Sequence, residues 1–231
     1  MTVSHHEVST DPPLALISWS SGKDAAYALT EVRRARSVTP VGLLTTVTEA
    51  FGRVSMHGVR EELLHRQSEA LGLPLTIVRI PYPCPNEVYE REMGTTLERA
   101  RSNGVRHVVF GDLFLEEIRR YRESQMAVVG MECVFPLWHR PTDALAREML
   151  HAGLRARLVC IDPRVLPHSF AGREFDERLL ADLPRDVDPC GERGEFHTFV
   201  TDSPQFRSPV PVRSGEIVDR DGFVFADLEP A

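Results

Sequence analysis

The chain has 231 residues, a formal net charge of −7 at pH 7, 42% hydrophobic residues and 26% charged residues. These values are typical of a globular protein with enough apolar surface for one large domain or two smaller ones, and the acidic excess argues against broad nucleic-acid binding. No apolar run approaches the roughly 20 residues that a membrane-spanning helix needs. The first dozen residues lack the layout of a secretory signal, so we expect a disordered lead at residues 1–12 and a cytoplasmic protein.

The first informative stretch combines a strand, a short loop and a helix. The apolar run 14–17 predicts a strand covered on both faces, and apolar residues at helical spacing follow from Ala25 to Val32. Between them lies the small-residue loop Ser20–Lys23, and Asp24 stands at the predicted helix start. The first N–H groups of a helix have no intrahelical partner and lie at the positive end of its dipole, so this loop predicts a polyphosphate site.

Lys23 is the single lysine of the chain, since the other 26 of its 27 basic residues are arginines. A compact ammonium group suits a phosphate oxygen, and we expect Lys23 to lie exposed in the loop. The alternative is an ordinary strand-to-helix turn with a solvated lysine.

Strands and helices alternate in the first part of the chain. We predict strands at 41–47, 75–80 and 107–111 and helices at 61–71 and 87–102, which together indicate a parallel α/β sheet with helices on both faces. A change of character at 135–138 divides the chain into a nucleotide-binding domain at 13–135 and an α+β substrate domain at 136–231. The second domain is predicted to hold helices at 142–151 and 174–183, strands at 156–161 and 196–200, and a hairpin that turns at 220–222.

Loops at the carboxyl ends of parallel strands form the ligand crevice in this class of fold. Thr46 and His57 belong to the end of the second strand and its loop, Asp112 follows the fourth strand, and Arg122 lies on the next helix. His57 either faces the ligand or caps a helix, and Asp112 either orients a ligand or caps a helix. Arg119 and Arg122 lie close to the crevice side of this helix, so either one of them reaches a phosphate or the helix presents a solvated salt-bridge face.

The segment 188–200 combines two glycine hinges with carboxylates and a histidine, which favours a substrate cradle over a simple connector. Glu192 or Glu195 could bind magnesium, hold ammonium or act as a base, although a tight turn with exposed charges is the alternative. The candidate substrate-binding residues of this segment are Gly191, Glu192, Gly194, His197 and Thr198.

The loop resembles the PP-loop motif S-G-G-K-D-S, with Ser21 in place of the first glycine and Ala25 in place of the last serine. Together with GDLFLEEIRRYRE, FPLW and DPCGERGEFHTFV, it resembles the bacterial branch of the diphthine–ammonia ligase family of PP-loop ATP pyrophosphatases.

This resemblance implies an adenine nucleotide alpha hydrolase-like domain with a five-stranded parallel sheet, followed by a smaller domain that covers its crevice. It also implies ATP and Mg²⁺ as cofactors, adenylylation of a carboxylate with loss of pyrophosphate, and amidation by ammonia. The implied ATP-binding residues are Ser20, Ser21, Gly22, Lys23 and Thr46. The implied catalytic residues are Lys23, Asp24, Asp112 and Glu195, with Asp24 also the metal contact.

The sequence does not identify the carboxylate substrate, which is either a small molecule or a group on a protein. It also leaves open whether the protein forms a homodimer. Two other functions are weighed against the ligase. A tRNA-modifying PP-loop ligase is disfavoured by the acidic net charge and by four cysteines without a C-x-x-C pair. A non-catalytic ATP or AMP sensor would not require the 192–198 segment.

Overall fold

The computed structural model of the protein describes residues 11–231, so the predicted lead at 1–12 lies almost wholly outside the described residues. Within this range, no helix is both long and apolar enough to cross a membrane.

The N-terminal part is built on a sheet with five parallel strands. Its strands are β1 (Leu14–Ser18), β2 (Thr39–Thr48), β3 (Arg53–Val54), β4 (Leu75–Ile80), β5 (His107–Val109) and β6 (Glu132–Val134). The parallel order is β4-β2-β1-β5-β6, and the short β3 pairs antiparallel with the end of β2. The helices that connect these strands are α1 (Lys23–Ala35), α2 (Glu61–Leu71), α3 (Asn86–Ser102) and α4 (Glu116–Val128).

Helices cover both faces of this sheet. Leu29 of α1 and Leu63 of α2 belong to the apolar cluster on one face, and Leu97 of α3 and Met126 of α4 belong to the cluster on the other. The predicted bounds of α2 are reproduced because Gly72, at φ +64°, takes the left-handed conformation that ends a helix.

The C-terminal part contains a four-stranded antiparallel sheet. Its elements are α5 (Thr142–His151), β7 (Arg155–Ile161), a 3₁₀ turn (His168–Phe170), α6 (Glu177–Asp182), β8 (Phe196–Asp202), β9 (Val212–Arg220) and β10 (Phe223–Pro230). The strand order is β8-β7-β10-β9. The helix predicted at 174–183 starts later because the Asp176 carboxylate accepts the Leu179 N–H at 2.7 Å and caps it there. The predicted fold class, a parallel α/β sheet followed by a smaller α+β unit, is confirmed.

A buried glutamine joins the two sheets. The Gln67 side chain on α2 is fully buried, accepts the Trp19 indole N–H at 2.8 Å and donates to the Ser21 and Val200 carbonyls at 3.2 and 2.7 Å. All three partners lie in the core or at its edge, where an unmade hydrogen bond is costly. Gln67 therefore fixes the loop after β1 against β8.

We expect the substitution Gln67→Met to lower the free energy of unfolding by about 3 kcal/mol, because it keeps the side-chain length and leaves an indole N–H and two carbonyls without this partner. Urea denaturation measures the change. Gln125→Met is the matched control, since Gln125 also lies on a helix but makes one long bond, to Glu90 at 3.4 Å. Equal losses in both variants would contradict the assigned role.

Candidate active site

The loop between β1 and α1 is held in place by β8. Thr198 Oγ1 accepts the Lys23 N–H at 3.0 Å, and the Val200 N–H donates to the Ser21 carbonyl at 2.9 Å. Gly22 precedes α1 and provides no side-chain cap, so the Thr198 hydroxyl caps the helix from the second sheet. The N–H groups of Asp24 and Ala25 belong to the same first turn, which precedes the first intrahelical bond from Ala26 to Gly22.

Ser21 adopts a backbone conformation that suits glycine. Its φ is +73°, its side chain is fully buried, and its hydroxyl has no hydrogen-bond partner among residues 11–231. The left-handed region is disfavoured for any residue with a Cβ atom. This conformation suits the glycine that the PP-loop motif has at this position.

Lys23 is buried, so the expectation of an exposed loop lysine is wrong. Only 1% of the residue is accessible, and its Nζ donates to the Asp24 carboxylate at 2.8 Å and to the Cys190 carbonyl. The rings of Phe175 and Phe196 lie 5.7 and 5.4 Å from Nζ. Burial by itself lowers the pKa of Lys23, but Asp24 and other nearby groups outweigh it, and the net shift is upward. The charged ammonium thus links the loop to the segment before β8.

The predicted residues converge on one polar cavity of about 200 Å³ at the carboxyl ends of β1 and β5. Its lining includes most of them, namely Ser20, Gly22, Lys23, Asp24, His57, Asp112, Arg122, Gly191, Glu192, His197 and Thr198. Ser21, Gly194 and Glu195 lie outside this lining, and Thr46 lines an adjoining crevice. Gly111 packs so tightly on the start of α1 that a Cβ there would lie 2.7 Å from the Asp24 carbonyl carbon.

Asp112 and Arg122 form a pair inside the cavity. The Arg122 Nε lies 2.8 Å from Asp112 Oδ2, and the guanidinium lies over the Phe110 ring at 4.5 Å. Arg122 therefore faces the ligand space and does not belong to the solvated salt-bridge face. Arg119, one turn earlier, pairs with Glu123 at 2.8 Å outside the cavity.

The two glutamates of the 188–200 segment have different places. Glu192 reaches across the cavity and accepts the N–H groups of Leu113 and Phe114 at 2.8 and 3.3 Å. Burial raises its pKa to about 7, opposed by these bonds and reinforced by Asp24 and Asp112.

Glu195 is buried within its own loop. Its carboxylate oxygens accept the N–H groups of Asp188 and Arg193 at 3.0 and 2.9 Å. Both oxygens are engaged away from the cavity, so this placement supports a role in shaping the loop. It does not support the predicted catalytic role of Glu195.

Two histidines form one wall of the cavity. The rings of His57 and His197 contact each other with centroids 4.3 Å apart and planes tilted by 36°. Burial lowers the pKa of His57 to about 4 and that of His197 well below its usual range, so both are neutral at pH 7. His57 lines the site and does not cap a helix; its Nδ1 lies 3.3 Å from the Ser55 carbonyl oxygen.

A larger, mostly apolar crevice of about 600 Å³ opens beside the polar cavity. The two spaces share five lining residues, namely Ser18, Ser20, His57, Phe110 and Arg122. The crevice is walled by residues of α3 and α4 that sequence reasoning did not select, among them Tyr89, Met93, Tyr121, Gln125 and Met126. The sequence signal for these residues was the helical spacing of Tyr89, Met93 and Leu97 on α3. The same spacing is typical of a helix that packs against an ordinary hydrophobic core.

Residues 11–231 contain no group of three or more His, Cys, Asp or Glu side chains that could hold a metal alone. Mg²⁺ in nucleotide sites commonly takes only one or two protein carboxylates, with phosphates and water completing its shell. The carboxylate of Asp24, 29% exposed and on the cavity lining, fits that requirement.

Two family models match the chain in order. The description "Diphthamide synthase N-terminal domain" matches residues 14–133, and "Diphthamide synthase C-terminal domain" matches residues 141–228. The chain belongs to the diphthamide synthase family. Among its relatives, the diphthine–ammonia ligase of Homo sapiens is 34% identical over 120 residues, which cover 49% of this chain and 45% of the relative.

The corresponding proteins of Bos taurus and Danio rerio are 33% and 31% identical over alignments that cover 45% and 47% of each relative. The chain thus spans about half the length of the curated relatives it matches.

We expect Ser21→Gly to raise the free energy of unfolding by about 1 kcal/mol, because glycine adopts positive φ without steric cost and the buried hydroxyl is removed. Ser21→Ala separates the two contributions, since alanine loses the hydroxyl but keeps the strained backbone. Thermal unfolding should show that Ser21→Gly is more stable than Ser21→Ala. The opposite order would contradict the backbone strain assigned to position 21.

We also expect Glu192→Gln to change how stability depends on pH. The pKa of Glu192 is about 7 in the folded protein against 4.5 as its ordinary value, so between these pH values the folded state holds a proton that the unfolded state has lost. Stability of the wild type should therefore fall as pH rises through this range. Glutamine still accepts a hydrogen bond but cannot titrate, so urea denaturation across pH should give a shallower fall; parallel curves would contradict the raised pKa.

Proposed function

We propose that the chain is an ATP-dependent, AMP- and pyrophosphate-forming ligase that adenylylates a carboxylate and amidates it with ammonia. The observation that carries the proposal is the joining of a polar cavity at the start of α1 to an apolar crevice of nucleoside size. Membership of the diphthamide synthase family, whose curated relatives are named diphthine–ammonia ligase, supports it.

In this proposal the triphosphate lies in the polar cavity. The N–H groups of Asp24 and Ala25 at the positive end of α1, the Ser20 hydroxyl and Arg122 surround the leaving pyrophosphate, whose charge grows in the transition state. Mg²⁺ on the phosphates would add positive charge, with Asp24 as the protein carboxylate nearest the helix start. The adenine and ribose occupy the crevice, where Thr46 offers a hydroxyl.

The reaction has two steps. A carboxylate oxygen of the substrate attacks the α-phosphorus, the bond from that phosphorus to the bridging oxygen breaks, and pyrophosphate leaves. Ammonia then attacks the acyl carbon, the bond to the AMP oxygen breaks, and one proton is lost from nitrogen. Glu192, with a pKa of about 7 and a place on the lining, is suited to take that proton.

Phosphorus NMR of the purified chain with Mg-ATP, ammonium and a panel of carboxylates tests this function. AMP and pyrophosphate that appear only with a carboxylate are the expected products. ADP and phosphate would contradict the chemistry. Unchanged ATP that nevertheless binds tightly would instead identify a nucleotide-binding protein without ligase activity.

Arg122→Gln should lower kcat/KM for ATP about 100-fold in that assay, because it removes a charge-assisted contact to the phosphates. Arg119→Gln is the matched control: Arg119 lies on the same helix, over Phe135 and Trp138 and outside both ligand spaces. We expect that control to stay within about threefold of the wild type. Similar losses in the two variants would remove Arg122 from the site.

A further inference from the structure

A third, aromatic pocket of about 230 Å³ lies at the junction of the two sheets. We define it by the four rings that wall it, Phe51 and Tyr82 from loops of the first sheet and Phe223 and Phe225 from β10. The Phe51 and Tyr82 rings lie 5.0 Å apart, and the Tyr82 hydroxyl donates to Asp221 at 3.2 Å, which closes the pocket between the two units. Phe51 and Tyr82 remain 42% and 56% exposed, so its mouth is apolar and open to solvent.

Arg220 gives this pocket a positive group that forms no ion pair with the described residues, while the Asp221 carboxylate on the same lining accepts the Tyr82 hydroxyl. Its guanidinium lies 5.4 Å from the Phe51 centroid and 5.6 Å from that of Phe225, and no ion pair or hydrogen bond of its side chain occurs within residues 11–231. Arg53, which lines the same pocket, is neutralised by Asp227 at 2.7 Å. A guanidinium that lies near two rings and makes no hydrogen bond within these residues has its N–H groups available to a planar anion such as a carboxylate.

The aromatic pocket also borders the proposed reaction site. His197 lines both this pocket and the polar cavity, and Met56 lines both this pocket and the apolar crevice. The aromatic pocket therefore adjoins both proposed nucleotide spaces through shared side chains.

We propose that the aromatic pocket binds the acyl substrate, and that this substrate is a compact aromatic monocarboxylate. Its ring packs among the four aromatic walls, and its carboxylate pairs with Arg220. The volume equals that of about eight water molecules, which suits one ring with a short side chain. This inference rests on the proposed ligase function and adds the chemical class of its acyl acceptor.

The test measures binding of 3-phenylpropanoate to the full chain without ATP, by isothermal titration calorimetry. Two comparison ligands each lack one recognised feature: propanoate has no ring, and 3-phenylpropanamide has no charge. We expect the acid to bind at least tenfold more tightly than either, because the pocket recognises both features.

Arg220→Gln should weaken 3-phenylpropanoate at least tenfold while ATP affinity and thermal unfolding stay unchanged. Arg213→Gln is the matched control, because Arg213 lies on the same strand, 70% exposed and outside the aromatic pocket. Equal affinity for acid and amide, or an unaltered affinity in Arg220→Gln, would overturn the proposal even if another carboxylate supports AMP formation. Binding that depends on Arg220, together with no AMP or pyrophosphate from any carboxylate, would uphold the ligand class and reject the ligase reaction.

Discussion

The candidate site depends on the attachment of β8 to the loop before α1. Thr198 and Val200 bond to the backbone of Lys23 and Ser21, and Gln67 ties the same loop to the core. These bonds cap the helix and hold Ser21 at a positive φ that a free loop would avoid. Because β8 also carries His197 and follows Glu192, the contact that shapes the loop places the C-terminal side chains over it.

Three carboxylates face the cavity that is proposed to receive phosphates. The repulsion between each carboxylate and the phosphates is reduced in a different way. Asp24 is paired with the buried Lys23, and Asp112 is paired with Arg122. Glu192 forms no ion pair with the residues at 11–231; its burial raises its pKa to about 7, so part of its population is neutral near that pH. The acidic lining is thus compatible with an anionic ligand, and Glu192 keeps the ability to exchange a proton.

The polar cavity and the aromatic pocket lie where the two sheets meet, whereas the apolar crevice is lined only by residues of the first sheet, its loops and its helices. One apolar cluster runs from α1 and α2 to β7, β8 and β10, so the two units share a core while the family models divide them between residues 133 and 141. The rings of His57 and His197 contact each other across the junction, and the Tyr82 hydroxyl donates to Asp221 on the hairpin. Any relative motion of the units would change the polar cavity and the aromatic pocket together.

The sequence by itself determined the parallel sheet, most helix bounds and the set of residues that meet at the strand ends, because apolar periodicity, glycine stops and the rule for parallel strands act locally or topologically. Only the tertiary structure decided which way the side chains of this set point. Lys23 is buried toward Cys190, Glu192 and not Glu195 enters the cavity, and the aromatic pocket joins loops and a hairpin far apart in the chain. These outcomes depend on contacts such as Lys23 with Thr198, 175 residues apart, and no local pattern encodes a pairing over that distance.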